Sequence, residues 1–175
     1  MPSSSHHHVI LPLNTSHKFD EFDCGDPARN NWLKARALAS HESDDSRCYA
    51  AVDQAGRISG FYAIATSAIL RAALPGAMRR NAPDPISCVL LAQLAVDLSC
   101  QGQALGRELV LHAMGRAVKI AEIAGCRLLI LHPSPLERAG YYRKFGFVDF
   151  ATAPAVMGMR LKEVRALLDA VAIGP

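Results

Sequence analysis

Residues 86–124 read ISCVLLAQLAVDLSCQGQALGRELVLHAMGRAVKIAEIA, and the change of period inside this stretch decides the fold. Ile86 to Val96 is a nearly continuous apolar run, the pattern of a strand covered on both faces. Asp97 ends it, and a short polar loop carrying Gly102 and Gly106 follows. From about Leu105 to Ala124 the residues Leu109, Ala113, Ala117, Ile120 and Ala124 recur at spacings of three or four, which predicts an amphipathic helix. Gly125 is a natural C-cap, and Cys126 to His132 is a second apolar strand. Strand, loop, helix and strand make a βαβ unit with parallel pairing.

On the N-terminal side, Asp26-Pro27 marks a helix start, a carboxylate N-cap with proline at the first helical position. Trp32, Leu33, Ala37 and Leu38 form its apolar stripe, and His41 to Asp45 ends it. Arg47 to Val52 and Ile58 to Ile69 read as a hairpin, with Gly60 at a bulge or a point of close packing. Arg71 to Pro85 is rich in Pro, Gly and Arg and reads as a long loop or an irregular connection. On the C-terminal side, Pro135 to Lys144 is a further helix, leading through Phe145-Gly146-Phe147 into a short strand. Val156 to Leu161 is a last strand and Lys162 to Val171 a closing helix. The expectation is one α/β domain over residues 18–175, after a flexible tail over residues 1–17.

Half of the 175 residues are apolar and a fifth are charged, ordinary for a globular domain large enough to bury a full core. No apolar run reaches the roughly 18–20 residues of a membrane span. Ser3 to His8 precede only a short apolar patch, Val9 to Leu13, unlike a secretory signal. The His6-His7-His8 run reads as a metal-binding tail, a cloning remnant or a disordered tail without a role, the last being the simplest. Five cysteines without C-x-x-C spacing suggest neither a zinc site nor a disulfide framework, but buried thiols in a reducing cytoplasm. The net charge of +3 is modest, so any nucleic-acid role must rest on a local patch.

A glycine-bearing loop between a strand and a helix start has a physical use. The first helical N–H groups are unpaired, the helix dipole adds partial positive charge, and an anion such as a pyrophosphate sits well there. The same pattern also serves as a tight turn that binds nothing. No G-x-x-x-x-G-K-[ST], no G-x-G-x-x-G after a strand and no G-x-S-x-G elbow occurs, so nucleotide hydrolysis, dinucleotide binding and serine hydrolysis lack their motifs.

Leu94-Ala95-Val96-Asp97 followed by Gln101-Gly102-Gln103-Ala104-Leu105-Gly106 resembles the acetyl-CoA motif of the GNAT superfamily, [QR]-x-x-G-x-[GA]. Ala139-Gly140-Tyr141-Tyr142-Arg143-Lys144-Phe145-Gly146-Phe147 resembles that superfamily's A-x-F-Y-x-x-x-G-F element. The resemblance implies a GNAT fold, a mixed, mostly antiparallel sheet with a splayed parallel pair and flanking helices. It further implies that the backbone of Leu94, Ala95 and Val96 pairs with the pantetheine arm. The amides of Gln101, Gly102, Gln103, Ala104, Leu105, Gly106 and Arg107 would then hold the pyrophosphate, with acetyl-CoA as co-substrate and no metal. Ala104 stands where the family has glycine. A positive φ there would cost on the order of 1 kcal/mol, whereas a place in the first helical turn would cost nothing.

The family's tyrosine maps onto Tyr142, whose hydroxyl would donate a proton to the departing thiolate; the bland alternative is a packed aromatic. Tyr141 is expected in the core. His132 would end its strand beside the site, as a capping or solvated residue rather than a base.

Phe22-Asp23-Cys24-Gly25, Asn31-Trp32-Leu33, Gly60-Phe61-Tyr62, Leu74-Pro75, Leu91 to Asp97 and Pro154 to Met159 resemble one GNAT branch, the TacT-like toxins of type II toxin–antitoxin modules. This similarity covers roughly residues 18–171. It implies acetylation of the α-amine of aminoacyl-tRNA and a block of translation. It also implies a cytoplasmic homodimer, neutralised by a ribbon-helix-helix antitoxin and reaching operator DNA only through that complex. Where the branch commonly carries arginine before Leu-Ala-Val-Asp, this chain has Gln93. Lys34, Arg36, Arg71, Arg79 and Arg80 are the candidates for tRNA phosphate contacts. Two alternatives remain: a GNAT enzyme for a small amine or protein N-terminus, and a degenerate GNAT serving as an antitoxin-bound co-repressor.

Overall fold

The computed structural model describes residues 8–133, 138–152 and 154–173. Among the described residues seven strands form a mixed sheet: β1 (Val9–Pro12), β2 (Arg47–Val52), β3 (Ile58–Ile69), β4 (Ile86–Val96), β5 (Leu128–Leu131), β6 (Val148–Asp149) and β7 (Met157–Arg160), in the order β1-β2-β3-β4-β5-β7-β6. β4 and β5 are parallel, Cys88 facing Leu128 and Leu91 facing Leu131. The pairs β1–β2, β2–β3, β5–β7 and β6–β7 are antiparallel. The helices are α1 (Pro27–Trp32), α2 (Leu38–Glu42), α3 (Gly76–Arg79), α4 (Leu105–Ala124), α5 (Ala139–Arg143) and α6 (Leu161–Ile173). None among the described residues is long and apolar enough to cross a membrane.

The chain clusters into two compact units, one of residues up to 64 with 93–110, the other of 65–92 with 111 onward. In the first, Phe22, Leu33, Ala37, Cys48, Ile58 and Phe61 are buried about a core that Phe19, Trp32 and Leu38 flank. Val9–Pro12 lies within the expected tail but is a strand, because its backbone pairs in register with Tyr49 to Val52. Asp26 caps α1 as its sequence predicts: its carboxylate accepts the N–H of Ala28 at 3.0 Å and holds Arg29 Nη1 at 2.9 Å. Between α1 and α2 the helix widens into a π-helical turn, Leu33–Ala37. The apolar pairs Trp32-Leu33 and Ala37-Leu38 are five residues apart, a spacing that the wider turn brings to one side. Gly60 is a point of close packing: a Cβ there would lie 2.9 Å from Leu109 Cδ1 and 3.2 Å from Ala95 O. The bulge falls on the facing strand, between Ala51 and Val52.

In the second unit Leu74, Met78, Ile86, Cys88, Leu128, Ile130, Phe150 and Val156 are buried together. The connection expected as a loop over 71–85 contains a 3-10 turn, Arg71–Ala73, and α3. Gly125, at φ +70°, ends α4 as expected. The helix expected over Pro135 to Lys144 is seen over Ala139–Arg143, and its start lies outside the described residues.

Candidate active site

The backbone that leaves β4 is fastened by one buried carboxylate. Asp97, 4 % exposed, accepts the N–H of Ser99 on Oδ1 at 2.9 Å and the N–H of Asp23 on Oδ2 at 3.0 Å. The Ser99 hydroxyl donates to Oδ1 as well. Asp23 in turn accepts the N–H of Gly25 and the Asn30 amide, each at 2.8 Å, while Asn30 Oδ1 accepts the N–H of Cys24 at 2.9 Å. Leu98 N–H donates to Asp23 O at 2.8 Å, and the Gln101 amide donates to Val96 O at 3.0 Å and Cys24 O at 3.3 Å. The segment Asp23 to Asn30 therefore straps the loop down. Burial pushes the Asp97 carboxyl up, but the hydrogen bonds from Asp23 and Ser99 and the charge of Arg57 outweigh it, so the group sits below its ordinary value and stays ionised. Sequence reasoning placed Asp97 and Asp23 in motifs without giving them this work; they lie 74 residues apart and no local pattern links them.

After the 3-10 turn Leu98–Cys100, Gln101 to Ala104 are exposed, with Gly102 at φ +76° and Ala104 at φ +65°. Ala104 thus occupies the left-handed region rather than the first helical turn, and its Cβ costs on the order of 1–2 kcal/mol there. A Cβ at Gly102 would meet nothing within 4 Å, so glycine serves the backbone angle and leaves open space over the loop. α4 begins at Leu105, and the N–H groups of Leu105, Gly106 and Arg107 have no carbonyl of that helix to donate to. A 20-residue helix whose first N–H groups lie behind the exposed loop Gln101 to Ala104 and beside Arg107 suits an anion such as a pyrophosphate. Upstream, Ala95 is buried and Leu94 and Val96 are half-buried. Among the described residues no group of three or more His, Cys, Asp or Glu is placed to hold a metal ion.

Tyr142 belongs to the second unit. It is 8 % exposed on α5, edge-to-face with Tyr141 at 5.4 Å and with Phe147 at 5.9 Å between ring centroids. Gly146, at φ +99°, turns the chain, its N–H donating to Arg143 O. Arg143 grips Asp149 through Nε and Nη2 at 2.9–3.0 Å, joining α5 to β6. Tyr141, expected in the core, lies at the surface, 36 % exposed, because α5 turns Tyr142 inward and leaves its neighbour on the outer side against Phe145. His132 is exposed just past β5.

Of the basic candidates, Lys34 and Arg36 are exposed on the π-helical turn of the first unit. Arg71, Arg79 and Arg80 are exposed in the second, where Arg71 Nη1 donates to Ala82 O at 3.2 Å. The first unit thus gathers the loop, its strap and the strand end; the second carries Tyr142 and the arginine-bearing connection.

A mixed sheet with one parallel pair, a glycine loop and a long helix behind it fit an acyl-CoA transferase type of fold. Residues 44–149 match the acetyltransferase (GNAT) domain, and the chain belongs to the GNAT acetyltransferase family. It is 39 % identical over 147 residues to a tRNA-acetylating toxin of Mycobacterium tuberculosis, covering 84 % of this chain and 88 % of that protein. It superposes on AtaT complexed with acetyl-methionyl-tRNAfMet with a TM-score of 0.86 at 26 % identity, over 92 % of this chain and 99 % of that one. AtaTR bound with acetyl-CoA gives a TM-score of 0.81 at 26 % identity, over 91 % and 97 % of the two chains.

Proposed function

We propose that this chain is the toxin of a type II toxin–antitoxin module and transfers acetyl from acetyl-CoA to the α-amine of an aminoacyl-tRNA, blocking translation. The observation that carries the reading is the loop Gln101 to Arg107, where positive φ at Gly102 and Ala104 leaves exposed backbone at the N-terminus of α4. Similarity to a tRNA-acetylating toxin over 84 % of the chain supports tRNA as acceptor.

Bound acetyl-CoA supplies a thioester carbonyl open to attack by an amine. The N–H groups from Gln101 to Arg107 hold its pyrophosphate, and the backbone of Leu94, Ala95 and Val96 pairs with the pantetheine arm. As the amine attacks and the carbon–sulfur bond breaks, Tyr142 donates its hydroxyl proton to the departing sulfur, and the proton the amine sheds restores the hydroxyl. Lys34, Arg36, Arg71, Arg79 and Arg80 take the tRNA phosphates. The protein works in the cytoplasm as a homodimer, and a ribbon-helix-helix antitoxin neutralises it and carries it to operator DNA. Purified protein incubated with acetyl-CoA and the full set of charged tRNAs should yield acetylated aminoacyl-tRNA; no product with any aminoacyl type sinks the proposal.

The left-handed Ala104 favours one second reading, a degenerate GNAT that serves only as a co-repressor with its antitoxin. Titration calorimetry with acetyl-CoA separates the two, since the co-repressor reading requires no heat of binding.

A further inference from the structure

Basic side chains gather at a second place in the unit that carries Tyr142, away from the motifs already assigned. Arg127 precedes β5; its N–H donates to Ser87 O at 3.1 Å, and its carbonyl accepts the N–H of Leu161 at 3.0 Å. These bonds fix its backbone against the start of α6. Its guanidinium reaches Asn81 O through Nη1 at 3.1 Å and Arg80 O through Nη2 at 3.4 Å. Together with Cys126, Arg160, Leu161, Lys162 and Arg165 it lines a concavity of about 250 Å³.

Four cations surround it. The carboxylate beside them, Glu163, is committed to Arg160: Oε1 accepts Nε at 2.9 Å and Oε2 accepts the Arg160 N–H at 3.0 Å. Lys162 and Arg165 are exposed one turn apart on α6. With Arg160 paired to Glu163, the charges of Arg127, Lys162 and Arg165 leave the lining positive, and the exposed Arg165 guanidinium fork matches the paired oxygens of a phosphodiester. The bond from Arg127 to Arg80 O also ties a lining residue to the Arg79-Arg80 turn. A run of cations along a surface suits a polymer that offers phosphates at regular intervals better than a single small anion.

We propose that the concavity lined by Arg127, Arg160, Lys162 and Arg165 binds the phosphate backbone of the acceptor RNA, extending the Arg79-Arg80 contact. This rests on the aminoacyl-tRNA reading above. Contacts of this kind position the RNA without reading its sequence, so they act on every tRNA alike.

The test is binding of uncharged tRNA to the full-length protein across a salt series. In Lys162→Ala/Arg165→Ala, both changes are exposed on a helix that alanine favours, so the fold survives. The variant should bind tRNA about tenfold more weakly, with a slope of log affinity against log salt shallower by about 1.5, since each lost phosphate contact removes about 0.7–0.9. Its affinity for acetyl-CoA should match wild type, and KM for charged tRNA should rise at unchanged kcat. Lys162→Arg/Arg165→Lys, which keeps both charges, should keep the wild-type salt slope. Wild-type affinity and slope in the alanine variant overturn the proposal and leave the tRNA reading standing. Unaltered tRNA binding with lost binding of poly-glutamate also overturns it, assigning the surface to an acidic peptide. Failure of the wild-type protein to bind or acetylate any tRNA overturns both readings together.

Discussion

The loop after β4 and the turn after α5 each place positive-φ residues beside a helix end, yet they are held by opposite means. Around Gly102 and Ala104 the backbone is exposed, and its order comes from the buried Asp97 carboxylate and the strap from Asp23 to Asn30. Around Gly146 it comes from ring packing among Tyr141, Tyr142, Phe145 and Phe147, with the Arg143–Asp149 pair outside. Polar networks are directional, and each lost member strands its partners. Aromatic packing depends on volume and tolerates swaps of similar shape. A conservative substitution should therefore spare the fold in the second region and damage it in the first.

The largest expected effect is catalytic. Tyr142→Phe keeps the ring against Tyr141 and Phe147 and removes only the hydroxyl. Loss of a general acid should lower kcat by about 10²- to 10⁴-fold. Stability should change by no more than about 1 kcal/mol, and acetyl-CoA affinity should hold. Full turnover in this variant would remove Tyr142 from the chemistry and leave it as packing.

In the first region Asp97→Ala strands the N–H groups of Asp23 and Ser99 and the Ser99 hydroxyl. Unfolding in urea should show a loss of about 2–4 kcal/mol, and acetyl-CoA binding should weaken as the loop loosens. Stability within experimental error of wild type would break the comparison, because the loop would then need no carboxylate.

Asp97 also gives the first region a pH signature. Its folded-state pKa lies below the unfolded value of about 3.9, so the folded protein releases the proton more readily than the unfolded chain. The stabilisation is complete above that value and disappears as pH falls through the folded pKa. Denaturant midpoints recorded from pH 6 downward should fall less steeply below about pH 4 in Asp97→Asn than in wild type. Parallel curves would mean that the Asp97 charge contributes nothing net.

The same contrast explains what the sequence made legible. β4 and α4 were readable to their end residues because the period changes at Asp97 and Gly125 stops the helix. The candidate loop was readable because glycine spacing and chain order are local. β1 was not, since four residues ending in proline next to a polar stretch carry no alternation, and only pairing with β2 makes them a strand. The strap was not, because Asp97 meets Asp23 across 74 residues, and the basic concavity draws on positions 126–127 and 160–165 for the same reason. Of two adjacent tyrosines, only the packed helix decides which turns inward.

The smallest effect concerns Ala104, where the family pattern has glycine and this chain holds φ at +65°. Replacing it by glycine removes a left-handed strain of about 1–2 kcal/mol. Against this, glycine gives the unfolded chain more freedom, worth about 0.4–1 kcal/mol. Ala104→Gly should therefore raise stability by about 0.5 kcal/mol, read as a small upward shift of the urea midpoint at constant slope. Ala104→Val, whose branched Cβ suits this region still less, should move the midpoint the other way. Acetyl-CoA affinity should rise in the glycine variant, since the strained conformation is then adopted more readily. A glycine variant that is less stable than wild type would mean that the strain at Ala104 is smaller than the freedom glycine gives the unfolded chain.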